Sequence, residues 1–107
     1  MIRVGELKII FTFHAKQRLR ERFTKENIKH IMNWLKNATV LTIRGTRNKD
    51  NHLVIPSLCS LVGILEINKG SASFKVKTVI YPWMDTPRRY FRSGNDIIIQ
   101  AQKITIE

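Results

Sequence analysis

Apolar residues recur along this chain at two different periods, and the change of period divides it. Ala15, Leu19 and Phe23 stand four apart, and Ile28, Ile31, Met32 and Leu35 follow the i, i+3, i+4, i+7 spacing of a buried helical face. Thr12 and Thr24 precede these stretches as N-cap residues, and Glu26 falls in the second helix's first turn, where the helix dipole favours a carboxylate. The first helix is expected to end near Phe23. From Ala38 the period falls to that of strands in TVLTIR (39–44), HLVIP (52–56), SLCSLVGILEI (57–67) and SFKVKTVIY (73–81). IIIQAQKITIE (97–107) reads as one more strand, and RVGELKIIF (3–11) as a short strand or extended arm.

Turn chemistry separates these runs. GTRNKDN (45–51) joins the first two strands, and NKGS (68–71) forms a hairpin in which Gly70 is free to take positive φ. The run 57–67 is apolar on both faces and reads as central, with Gly63 marking a bulge or a close approach. In a regular strand Phe74, Val76, Thr78 and Ile80 face one way, and Lys75, Lys77, Val79 and Tyr81 the other. The expected fold is α+β in a single domain over 1–107: two N-terminal helices followed by a four- to five-stranded antiparallel sheet.

Charge changes the picture from fold to partner. With 19 Lys plus Arg against 8 Asp plus Glu, the 107 residues carry a formal charge of +11, more than solubility requires. A polyanion is the expected partner, and nucleic acid is the commonest. The chain shows neither a spanning apolar run nor a secretory signal, so a cytoplasmic location is expected and no membrane partner. The one cysteine, Cys59, reads as a small core residue. It and three scattered histidines have no metal-ligand spacing, and Glu26, Asp50 and Asp85 form no two-metal carboxylate set, so no cofactor is expected.

The chemistry concentrates in FTFHAKQRLRERF (11–23). His14, Arg18 and Arg22 are spaced four apart on one helix, about 6 Å per step along its axis, while Ala15, Leu19 and Phe23 form the parallel apolar row that seats it. Behind a Thr12 cap, His14 occupies the first turn, where the dipole and Arg18 both disfavour an imidazolium. A neutral imidazole removes a proton from a hydroxyl, and a guanidinium holds phosphate with paired hydrogen bonds. RNA self-cleavage needs this division of labour, with an acid for the departing 5′-oxygen, and requires no metal. TPRRYFR (86–92) interleaves Arg88, Arg89 and Arg92 with Tyr90 and Phe91, which reads equally as a mixture that neutralises and stacks on a nucleic-acid strand or as a basic loop whose aromatics pack on the sheet. His30 and His52 are read as structural or solvated, Trp34 and Trp83 as packing, and Lys16 and Arg20 as solvated charges.

His14-Ala15, Arg18 and Arg22, followed by a Thr-started helix and about four strands, resemble the HAxxRxxxR pattern of small RelE-like toxin domains. That group includes barnase-like, EndoU-like and colicin-type ribonucleases. The resemblance covers roughly residues 10 to 82. It implies an α+β fold and metal-independent RNA cleavage, with His14 and Arg18 catalytic and Arg22 a phosphate contact. It also implies a Thr, Ser or Tyr from the fourth strand, here Thr78 or Tyr81. Lying three apart, they cannot both face the groove of a regular strand; the Tyr81 face, shared with Lys75 and Lys77, is preferred for RNA, and Thr78 reads as a core hydroxyl. The expected activity is therefore a toxin-like endoribonuclease acting on RNA, with an acidic antitoxin or immunity protein as a possible partner. The alternatives are a basic nucleic-acid-binding module without catalysis, or an interaction protein on a toxin-like fold.

Overall fold

The computed structural model describes residues 1–46, 49–81 and 91–107, and of 46 and 91–95 the backbone only. Element order is β1 (Ile2–Phe11), α1 (Phe13–Arg22), α2 (Lys25–Asn37), β2 (Val40–Thr46), β3 (Asn51–Ile55), β4 (Cys59–Asn68), β5 (Ser71–Ile80) and β6 (Phe91–Ile106). Both helices start where their caps predict: the Thr12 hydroxyl accepts from the Ala15 amide and the Thr24 hydroxyl from the Asn27 amide, each at 3.1 Å. Ala15 and Leu19 are buried from α1, Phe23 from its C-cap, and Ile31 and Leu35 from α2.

The sheet corrects the expected architecture. The described strands form a closed mixed barrel in the order β1-β5-β4-β3-β2-β6, not an antiparallel sheet that follows two helices. The RVGELKIIF segment is a full strand ahead of the helices, and it pairs parallel to β5 on one side and to β6 on the other. Leu7 and Ile9, with neighbours on both edges, are fully buried. Closure depends on β6, which begins at Phe91 rather than at 97. Its first part pairs antiparallel with β2, its last part parallel with β1, and Ile99 and Gln100 pair on both sides.

The core is built from cross-strand layers. Ile43 lies opposite Leu53, Leu53 opposite Leu61, and Leu61 opposite Val79, and all four are fully buried. The hairpin between β4 and β5 turns on Lys69 and Gly70, with Gly70 at φ +75°. Gly63 has the close approach its position suggests: a Cβ there would run into the carbonyl of Lys75.

At Gly63 the β4–β5 register also shifts. Val62 pairs with Thr78 but Gly63 pairs with Val76, which leaves Lys77 as the extra residue of a bulge. A bulge resets the alternation, and this overturns the facing expected for the fourth strand. Val79 is buried in the layer above rather than sharing a face with Lys75 and Lys77, and Tyr81 is half-buried against the core. Thr78 turns outward opposite Val62 and is half-buried rather than a core hydroxyl.

Candidate functional site

Where β1 ends, α1 takes over the flank of β5. The Thr12 amide donates to the Val76 carbonyl at 3.2 Å, just past the last β1–β5 pair, Phe11 opposite Val76. Ten helical residues advance about 15 Å, close to the roughly 16 Å that extended chain covers from Val76 to Tyr81, just past the end of β5, so helix and strand finish together. At that far end the Arg22 Nη1 donates to the Val79 carbonyl at 2.7 Å, and the Tyr81 hydroxyl donates to the Arg22 carbonyl. The rings of Phe23 and Tyr81 meet with centroids 4.9 Å apart. Arg22 thus supplies β5 with a hydrogen-bond partner beyond the point where β1 has left it.

This geometry splits the expected row. A step of four residues on a helix turns about 40° past a full turn, so His14, Arg18 and Arg22 spiral toward the buried side instead of standing in line. His14 is exposed, Arg18 is half-buried, and Arg22 lies against β5. The first two meet: Arg18 Nε donates to His14 Nε2 at 3.4 Å, a long contact in which the imidazole nitrogen is the acceptor. On its other edge Arg18 Nη1 bonds Glu21 Oε2 at 2.8 Å. Glu21 therefore bonds the guanidinium through Nη1 while its Nε faces His14. It was not among the expected site residues, although its i+3 spacing from Arg18 is visible in the sequence.

The other expected residues are dispersed. Tyr81 and Arg22 fasten α1 to β5. Lys75 is exposed, and Lys77, the bulge residue, bonds Asp50 Oδ1 at 2.9 Å. Arg88 and Arg89 lie outside the described residues, as do Tyr90 and Trp83; Arg92 lies on β6, its side chain outside the description. His30 is exposed on α2, 3.9 Å from Glu26. Trp34 is half-buried against the core.

A second titratable group sits on the barrel wall. Asp96 pairs with Arg44, and Arg44 with His52, while His52 is 7% exposed. Burial pushes the His52 imidazole below its ordinary range; Asp50 opposes that shift and Arg44 adds to it. Burial likewise pushes the Cys59 thiol up to about 12, which keeps it a protonated core residue. Among the described residues no three His, Cys, Asp or Glu side chains converge as a metal site, and no helix is long and apolar enough to cross a membrane.

Comparison with family models, curated proteins and solved structures gave no match.

Proposed function

We propose that this protein is a metal-independent endoribonuclease whose proton-transfer group is His14. The observation that carries the reading is the His14–Arg18–Glu21 arrangement on α1: an exposed imidazole nitrogen with its acceptor lone pair beside a guanidinium that a carboxylate holds in place. The +11 charge and the resemblance of residues 11–23 to RelE-like domains support it. RNA entering the site displaces the long Arg18–His14 contact, and the guanidinium, still bonded to Glu21 through Nη1, turns its freed Nε–H to a phosphate oxygen. His14 Nε2 takes the 2′-hydroxyl proton, O2′ bonds to phosphorus, and the P–O5′ bond breaks. The leaving 5′-oxygen takes a proton from water, the hydroxide left behind takes the proton back from the His14 imidazolium, and the products are a 2′,3′-cyclic phosphate and a 5′-hydroxyl.

Purified protein mixed with cellular RNA in EDTA is expected to degrade it. His14→Ala should slow cleavage by about 10²-fold or more, the contribution typical of a general base. Arg18→Ala should cost a similar factor through lost charge stabilisation. Cleavage by both variants at the wild-type rate would remove His14 and Arg18 from catalysis.

One observation favours a second reading, binding without cleavage. Arg22, which the resemblance makes a phosphate contact, and Tyr81, one of the two fourth-strand residues it offers to the site, are instead committed to the α1–β5 contact. A binding module predicts steeply salt-dependent affinity for RNA that His14→Ala leaves unchanged.

A further inference from the structure

Phe13 opens α1 and is 84% exposed, the highest exposure of any large apolar side chain among the described residues. The apolar residues that follow it on the helix, Ala15 and Leu19, are buried. On the helix wheel Phe13 lies about 140° from the centre of that buried stripe, so its ring is held away from the barrel. Gln17 lies about 40° to one side of it, and Arg20 and Lys16 lie about 20° and 60° to the other. Phe13, Lys16, Gln17, Arg20 and Glu21 together line a shallow depression of about 290 Å³. With the Glu21 carboxylate bonded to Arg18, the exposed aromatic ring, two cations and an amide form the combination that takes an unpaired nucleobase: the ring stacks on the base and the cations meet the adjoining phosphates.

We propose that Phe13 is a stacking platform for one unpaired nucleobase of single-stranded RNA, with Lys16 and Arg20 holding the neighbouring phosphates. The proposal rests on the RNA reading above and specifies the substrate further, since a base locked in a duplex cannot lie on the ring. Phe13 and His14 are adjacent residues about 100° apart around the helix, so one strand can place a base on the first and a ribose-phosphate beside the second. The charges at Lys16 and Arg20, expected to be merely solvated, thereby become part of the interface.

The test is binding of short, end-labelled 2′-O-methyl RNA, which lacks the free 2′-hydroxyl and is not cut, read by fluorescence anisotropy. Wild type is expected to bind the single strand more tightly than the same sequence in duplex. Phe13→Ala should weaken single-strand binding roughly five- to 150-fold, the range for loss of one base–aromatic stack. Phe13→Tyr should retain the affinity. Placing one abasic nucleotide at the contacted position should cost wild type a similar factor and cost Phe13→Ala little. Because the ring is exposed, the Phe13 variants should keep the wild-type circular dichroism and melting temperature. Undiminished single-strand binding by Phe13→Ala would overturn the stacking proposal while leaving the RNA reading intact. The same holds if duplex binding is weakened equally, or if Phe13→Ala abolishes only self-association. Failure of wild type to bind the oligonucleotide at low salt would overturn both.

Discussion

His52 shows how one side chain ties local position to a property of the whole protein. Its imidazole is buried among β-strands beside Arg44, and folding therefore lowers its proton affinity. The unfolded chain takes up a proton near the ordinary value of 6.5 while the folded chain resists it. Stability from this residue is thus fully present above pH 6.5 and is lost as the pH falls below it, at up to about 1.4 kcal/mol per pH unit. Urea denaturation of wild type and His52→Gln at neutral and mildly acidic pH measures this. The wild type should lose more stability on acidification than the variant, and parallel losses would show that another group is responsible. In sequence His52 reads as a strand-opening residue of structural or solvated role; its burial follows from pairing with β2 and β4, which no local pattern reveals.

Between elements, the decisive contact is α1 against β5. Arg22 and Tyr81 each reach across nearly sixty residues of chain to a backbone carbonyl, and the Lys77 bulge turns Tyr81 toward the helix. Removing the Arg22 guanidinium leaves the Val79 carbonyl without that donor, so Arg22→Met should destabilise the fold by about 1–3 kcal/mol; Tyr81→Phe should cost about 1 kcal/mol. Chemical denaturation checks both. If Arg22 were a phosphate contact alone, Arg22→Met would leave stability unchanged and weaken only RNA binding. Legibility follows range here. Thr12, Thr24 and the Ile28–Leu35 face could be read because caps and helical faces are set within a few residues. Gly63 announced a close approach because glycine within an apolar strand has few other uses. The facing of Val79, Tyr81 and Thr78 could not be read, because a single extra residue inverts it and the bulge is fixed by the partner strand.

Across the whole molecule, closure of the barrel sets where the helices can lie. β1 and β6, at opposite ends of the chain, are adjacent strands, and their parallel pairing gives no short-range sequence signal. This is why a chain whose strands were mostly recognisable one by one was still expected to form an open antiparallel sheet. Closure places α1 along β5 with the His14–Arg18–Glu21 side and the Phe13 side both turned away from the core, on a chain of net charge +11. On the proposed reading, RNA approaches this side of α1, where the His14 imidazole is exposed. The central claim is that this imidazole promotes attack by the 2′-hydroxyl, and the ends of the cleavage products test it most directly. In EDTA, mass spectrometry of a digested RNA oligonucleotide should find 2′,3′-cyclic phosphate and 5′-hydroxyl ends, with the all-deoxy analogue uncut. Fragments bearing 3′-hydroxyl and 5′-phosphate ends, cleavage of the deoxy analogue, or an RNA left intact would contradict it.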